Sequence, residues 1–230
     1  MELSKRLNFI INNIDKTSVI ADIGTDHGYI PLYATQNGIC DKAIAIDINK
    51  DPLDKARLNA ILEGAGDELE FRLGDGLNPL EKDEVEAVII AGMGGNLIRD
   101  ILEESIDKVT SLNYLILVPA QNPEVLREYL YNNDYEIISE NLCEEDGIYY
   151  ELFKVRKKEG EAMGLDSIYY EVSPKLLMQK HPLMKDYLNS KVDNYKKILS
   201  FITESTVSAR DRRAAVEDKI NIISNMINYL

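Results

Sequence analysis

The sequence predicts an α/β protein: a mainly parallel sheet closed by an antiparallel hairpin, followed by a helical hairpin. Three observations carry this. Short aliphatic and β-branched runs alternate with helical patterns from residue 19 to residue 133, as they do where crossover helices join parallel strands. Two further apolar runs, 135–142 and 148–157, are separated only by the acid-rich stretch Cys143–Gly147, which is hairpin spacing. After Lys158 the apolar positions fall close to a seven-residue repeat, the spacing of paired helices. Domains of 1–158 and 159–230 follow.

Residues 2–14 place Leu3, Leu7, Ile10, Ile11 and Ile14 on one helix face and Lys5 and Arg6 on the other, and read as a lid against the sheet. VIADI (19–23) is the first strand; a glycine-punctuated turn then leads into a helix at Tyr29. KAIAIDI (42–48) is the second strand. Asp51-Pro52 caps the next helix, whose apolar positions are Leu53, Ala56, Leu58, Ile61 and Leu62. LEFRLGDG (69–76), VEAVIIAGMGG (85–95) and NYLILVPA (113–120) are the third to fifth strands. Helices fill 96–106 and 122–133, the latter with Asn122 as cap and Pro123 at the first helical position.

In the second region, Leu183, Tyr187, Leu188, Val192, Tyr195, Ile198, Leu199 and Ile202 form one apolar series. Val216, Ile220, Ile223, Ile227 and Leu230 form another after a polar break at Thr203–Ser208. Two antiparallel, coiled-coil-like helices are predicted, exposing Lys185, Lys191, Lys196, Lys197, Arg210, Arg212 and Arg213. Periodicity alone favours a packing or dimerisation element.

The chain of 230 residues is 45% hydrophobic and 29% charged, the balance of a globular protein with a full core. No apolar run is long enough to cross a bilayer, and the start MELSKRLNFIINNI lacks the features of a signal peptide. Two cysteines, Cys40 and Cys143, have neither metal-ligand spacing nor the number for a disulfide framework. The cytoplasm is therefore expected, with no metal and no membrane partner. Net charge is −14, but it divides unevenly: residues 1–153 carry −18 and residues 154–230 carry +4. A basic tail on an acidic body points to an anion that the tail meets and the body would repel.

The turn after the first strand, Gly24-Thr25-Asp26-His27-Gly28, lies where α/β sheets bind nucleotide-like ligands. A pyrophosphate site would need a second glycine where Asp26 stands, and a carboxylate there repels phosphate, which disfavours a nicotinamide-dependent oxidoreductase. S-adenosylmethionine keeps the adenosine, lacks phosphate, and carries a sulfonium and an ammonium that Asp22 and Asp26 would attract. On this stretch alone, a glycine turn without ligand is the alternative. Asp47, at the end of the second strand and followed by Ile48, is placed to accept from ribose hydroxyls. Asp75 between Gly74 and Gly76 can accept from an adenine amino group. The glycines of Ala91-Gly92-Met93-Gly94-Gly95 imply close approach of a ligand or another backbone.

DIGTDHGYIP (22–31), Asp47, GDGL (74–77), IAGMGG (90–95), the LIL strand at 115–117 with Pro119, and EEDGIYYE (144–151) together resemble the bacterial tRNA adenine-22 N1-methyltransferase family over essentially the whole chain. The resemblance implies a seven-stranded, Rossmann-like class I methyltransferase sheet, S-adenosylmethionine as methyl donor, and a helical C-terminal domain that helps grip tRNA. It assigns Gly24, Thr25, Asp26 and His27 to the methionine part, Asp47 to the ribose, and Asp75, Gly76 and Leu77 to the adenine, with Asp22, Gly28, Ile48 and Gly74 also counted among the cofactor-binding residues. It assigns Ala91, Gly92, Met93 and Gly94 to the mouth where the target base enters. The family pattern has Gln-Pro-Asn after the fifth strand; here Val118-Pro119-Ala120 precedes Gln121-Asn122, so one of those amides would have to replace it in orienting the base.

Adenine N1 is neutral at pH 7 with an in-plane lone pair, so it can attack a sulfonium methyl in line without a strong general base. Asp26 is the candidate catalytic carboxylate, able to accept from the N6 amino group and to stabilise the charge that moves onto the base. Binding the cofactor's ammonium is its alternative role. His27 fits a hydrogen-bond donor. Extruding an adenine from folded RNA costs a few kcal/mol, which Tyr29 and Tyr150 could offset by stacking. Lys5 and Arg6 are expected substrate contacts, and Arg210, Arg212 and Arg213 of the basic hairpin the expected phosphate contacts. The protein is expected to be a monomer, with dimerisation through the helical hairpin as the alternative. A silent scaffold that binds S-adenosylmethionine and a protein partner remains a second functional reading.

Overall fold

The computed structural model describes residues 2–203 and 206–230. Its contacts divide the chain into two compact units, Met1–Glu171 and Val172–Leu230. The first contains α1 (Lys5–Ile11), β1 (Thr17–Ile23), α2 (Tyr29–Gln36), β2 (Cys40–Asp47), α3 (Lys50–Leu62), β3 (Leu69–Leu73), β4 (Ala87–Ala91), α4 (Gly95–Glu104), α5 (Ile106–Val109), β5 (Tyr114–Val118), α6 (Pro123–Asn132), β6 (Tyr135–Glu145), β7 (Ile148–Lys157) and α7 (Ser167–Glu171). One seven-stranded sheet has the order β3-β2-β1-β4-β5-β7-β6. β7 runs antiparallel to both its neighbours, and the other pairs are parallel.

The central strands read as continuous apolar runs because both faces are covered. Ala21, Ile23, Ile44, Val88, Ile90 and Leu115 face α4 and α6, whose Ile98, Leu102, Leu126 and Leu130 complete one core. The alternate residues Ile20, Ala43, Ile89 and Ile116 face Ile10 and Ile11 of α1 and Ile30 and Leu32 of α2. Beneath the β6–β7 hairpin lies a buried ion cluster: Arg127 of α6 bonds Glu140 at 2.7 Å and also bonds Glu151, all three buried.

Several sequence expectations need correction. The first helix is shorter than 2–14, although Ile14 still enters the core. In α3 the cap is Asn49, not Asp51; Leu53, Ala56 and Ala60 are buried, whereas Leu58, Ile61 and Leu62 are exposed. Small residues at Ala56 and Ala60 let the helix sit close to the sheet, which turns the large side chains outward. The hairpin turn is only Asp146-Gly147, both at positive φ (53° and 78°), so Cys143–Glu145 belong to β6. That is the backbone of a tight primed turn. The third and fourth strands stop at Leu73 and Ala91, and the following glycines form loops. Residues 159–171 pack with the sheet unit: Met163 N donates to the Tyr131 carbonyl (2.7 Å) and Arg127 Nη1 to that of Tyr170 (2.7 Å).

The second unit contains α8 (Pro174–Met178), α9 (Met184–Phe201) and α10 (Val207–Tyr229). α9 and α10 are antiparallel: Lys219 lies over the Tyr195 ring and Lys180 over that of Tyr229. Met184, Tyr187, Leu188, Val192, Val216 and Ile223 form the buried seam. α10 starts at Val207, well before the first apolar residue of its series, and carries Arg210–Arg213 in its opening turns. Part of the expected polar break, residues 204 and 205, lies outside the described residues.

Candidate active site

β1 pairs with β2 on one side and β4 on the other, so the carboxyl ends of β1 and β4 flank the point where strand order reverses. Open α/β sheets bind ligands there. Gly24 N and Thr25 N both donate to the Ile46 carbonyl (2.8 and 3.0 Å), drawing the loop across the end of β2. Gly24 adopts φ 74°, a left-handed backbone that strains any side chain, and a Cβ there would push aside the end of the Met93 side chain, 2.4 Å from its Cε. His27 is also left-handed (φ 59°), and its carbonyl accepts from Asn59 Nδ2 of α3 at 3.0 Å. Its ring stacks on Tyr29, centroids 5.3 Å apart. The Asp26 carboxylate is exposed at the mouth, 3.5 Å from His27 Nε2.

Two cavities open at this point, and Gly24 lines both. The first, about 160 Å³, is bounded by Arg6, Asp22, Asp26, Tyr29, Ile30 and Ala91 among others. The second, about 260 Å³, is bounded by Asp47, Ile48, Gly74, Asp75, Gly76 and Met93, with Leu97 and Ile101 as an apolar wall. Burial pushes the Asp22 carboxyl up to about 6; the neighbouring Thr25 hydroxyl pulls it down and the charge of Asp47 pushes it further up. One buried polar atom here, Arg6 Nε, lacks a hydrogen-bond partner among the described residues. A zwitterionic adenosine derivative suits this donor set. The carboxylates attract its cationic groups, the orphaned Arg6 Nε suits its carboxylate, and glycines at 24, 74 and 76 keep the floor open.

Of the residues expected at a cofactor site, Asp22, Gly24, Asp26, Asp47, Ile48, Gly74, Asp75, Gly76, Ala91 and Met93 line the two cavities. Leu77 does not: its side chain is buried in the core. Thr25, His27 and Gly28 shape the loop, Gly28 packing so close to α3 that a Cβ would come 2.9 Å from that of Ala56. Gly92 and Gly94 belong to a turn laced to the loop after β5. Gly92 N donates to the Val118 carbonyl, Ala120 N to that of Met93 and Gly95 N to that of Gln121 (3.1, 2.8 and 2.8 Å). This sets Gln121 and Asn122 beside the glycine turn, both exposed, with Asn122 at φ 52°.

The other expected substrate contacts scatter. Tyr29 and Arg6 line the first cavity. Lys5 is instead paired with Glu144 at 3.3 Å, and the Tyr150 ring lies under the Arg6 guanidinium, 5.2 Å away. Arg210 and Arg212 are exposed in the helical unit and form no ion pair among the described residues. Arg213 caps the end of α9 by donating to the Ile202 carbonyl. The sequence reading did not include Leu97 and Ile101. Leu97 leaves a signal, since it is half exposed and out of phase with the buried positions Ile98, Ile101 and Leu102 of α4. No cluster of metal-ligating side chains occurs among the described residues, and no described helix is long and apolar enough to cross a membrane.

A family model for tRNA (adenine(22)-N(1))-methyltransferase matches residues 20–225. The tRNA (adenine(22)-N(1))-methyltransferase of Bacillus subtilis (strain 168) is 32% identical, covering 100% of this chain and 98% of its own length. The structure of M. capricolum TrmK in complex with S-adenosyl-homocysteine superposes with a TM-score of 0.84 at 30% identity, covering 100% of this chain and 99% of that one. A Streptococcus pneumoniae protein solved in complex with S-adenosyl-L-methionine gives 0.87 at 28% identity, covering 98% of this chain and 100% of that one.

Proposed function

The chain belongs to the tRNA (adenine(22)-N(1))-methyltransferase family, and from that premise we propose that it transfers the methyl group of S-adenosylmethionine to N1 of adenine 22 in tRNA, by direct in-line attack of the neutral ring nitrogen. The observation that carries this reading is the set of four carboxylates, Asp22, Asp26, Asp47 and Asp75, along two cavities joined at Gly24. None of the four has a Lys or Arg ion-pair partner among the described residues. A cationic adenosine compound is the ligand that such a cleft favours over a phosphate-bearing one.

In this reading Asp22 holds the ammonium, Arg6 the carboxylate and Asp47 the ribose. Asp75, between Gly74 and Gly76, takes the adenine against Ile48, Leu97 and Ile101. When bound, S-adenosylmethionine supplies an electrophilic sulfonium methyl. The protein's part is positional and electrostatic. Asp26, at the mouth, accepts the N6 amino hydrogen of the target and stabilises the positive charge that arrives on the base; His27 steadies Asp26. Tyr29, backed by His27, stacks on the extruded adenine. Gln121 or Asn122 addresses its far edge, since an amide can pair with the N6 and N7 positions and leave N1 free. The helical unit, 159–230 from the sequence and 172–230 from its contacts, carries the phosphate contacts through Arg210 and Arg212. The protein works as a monomer in the cytoplasm.

Methyl transfer from labelled S-adenosylmethionine to unmodified tRNA transcripts tests this. Label should appear as 1-methyladenosine and vanish when adenine 22 is replaced by guanine. Tight cofactor binding without label on any tRNA would favour the silent scaffold.

A further inference from the structure

Phe201, the last residue of α9, is 82% exposed, and Val207, the first of α10, is 66% exposed. Both stand at the tip of the helical hairpin. An apolar pair left in water beside the turn stabilises nothing within the fold. Phe201 also lines a cavity of about 300 Å³ with Ile202, Thr206, Ser208, Ala209 and Arg212. The cavity has a fixed frame: Thr206 Oγ1 caps α10 by accepting from Ala209 N (3.2 Å), and Arg213 ties α10 to the Ile202 carbonyl. That leaves Arg212, without an ion pair among the described residues, lining the same cavity as an exposed ring.

We propose that this tip is a nucleobase-stacking site, in which Phe201 receives a base of the tRNA and Arg212 an adjoining phosphate. The proposal rests on the tRNA reading above and adds a second contact on the RNA, in the helical unit rather than at the reacting adenine. Charge selects this occupant. Residues 172–230 hold 10 Lys and Arg against 6 Asp and Glu, and three arginines crowd positions 210–213. A second copy docking tip to tip would oppose those arginines, whereas a polyanion with planar bases matches both the charge and the ring.

The chain contains no Trp, so F201W is a single reporter that keeps a stacking face. Its emission should be quenched by unmodified tRNA transcript while tRNA affinity is retained. F201A should raise the tRNA Kd by about 5- to 100-fold, the range one base–aromatic stack supplies, with S-adenosylmethionine affinity unchanged and R212A giving a smaller rise. Unchanged tRNA affinity in F201A, or F201W emission indifferent to tRNA, would overturn the proposal, as would a wild-type dimer that F201A dissociates. If wild type methylates adenine 22 and F201A behaves normally, the tip proposal alone fails; if wild type binds no tRNA, the functional reading fails with it.

Discussion

The sheet unit and the helical unit treat charge in opposite ways. In the sheet unit, cations are mostly committed to neighbours: Arg72 to Glu70 and Glu84, Lys154 to Asp15, Arg156 to Glu136, Arg127 to Glu140 and Glu151. The four cleft carboxylates are left out of such pairs. In the helical unit Arg210 and Arg212 form no ion pair among the described residues, and although Asp186, Asp211 and Asp218 form none either, residues 172–230 carry 10 Lys and Arg against 6 Asp and Glu. A charge left without a partner in the fold is one a ligand of opposite sign can neutralise. The contrast is consistent with the proposed cationic cofactor in the cleft and the proposed polyanion at the basic tail, while paired charges serve the fold.

The largest effect expected from this contrast is on stability. Arg127→Ala strands two buried carboxylates, frees the Tyr170 carbonyl and removes the cation over the Phe153 ring. Removing one partner of a buried pair costs about 3–5 kcal/mol. Denaturant unfolding should show that loss, and the tRNA Kd of the remaining folded protein should be unaltered. A stable R127A variant with weakened RNA binding would break the division between structural and ligand-binding charge.

Much of this was legible in the sequence, and the parts that were not share a cause. The strands, the glycine turn and Asp22, Asp47 and Asp75 follow from local pattern, because strand ends and turns are written in adjacent residues. The outward Leu58, Ile61 and Leu62 were not legible, since which face of α3 is buried depends on how near Ala56 and Ala60 bring it to the sheet. The burial of Leu77 was not legible for a similar reason: its backbone follows the glycines of the cleft, but its side chain turns into the core. The bond from Arg213 to the Ile202 carbonyl and the surface pair of Lys5 with Glu144 join residues apart in sequence and leave no local signal. The apolar wall of Leu97 and Ile101 depends on the tertiary approach of α4 to the loop after β3, where Ile101 packs against Gly76.

A next, smaller effect separates the two roles open to Asp26. Exposed and unneeded by the fold, it should be replaceable by Asn without loss of thermal stability. If it stabilises the charge arriving on the base, D26N lowers kcat by about 10²- to 10³-fold, the range for losing one electrostatic stabiliser, and leaves cofactor affinity intact. A rise in S-adenosylmethionine Kd with kcat preserved would instead make Asp26 an ammonium ligand and leave the transfer without a named carboxylate.

The smallest effect comes from Asp22, which sharpens the idea that the cleft awaits a cation. Its folded-state pKa of about 6 lies above the ordinary value of 3.8, because burial disfavours the charged form. Between those values the folded protein binds a proton that the unfolded chain has released. The group's contribution to apo stability is thus fully present below pH 3.8, falls as pH rises to 6, and is flat above. About 3 kcal/mol is lost over the whole span, of which about 1 kcal/mol lies between pH 5 and 7. Affinity for an ammonium runs the other way, since only the ionised carboxylate attracts it: S-adenosylmethionine should bind about tenfold more weakly at pH 5 than at pH 7. Asp26, His27, Asp47 and Arg6 also adjoin this loop, so the comparison must be made against D22N, in which both pH trends due to this group disappear. Melting curves at pH 5 and 7, with and without S-adenosylmethionine, should show wild type losing apo stability as it gains cofactor stabilisation. Opposite slopes in wild type and parallel ones in D22N would identify Asp22 as the unpaired buried charge that the cofactor neutralises; a pH trend surviving in D22N would shift that role to its neighbours.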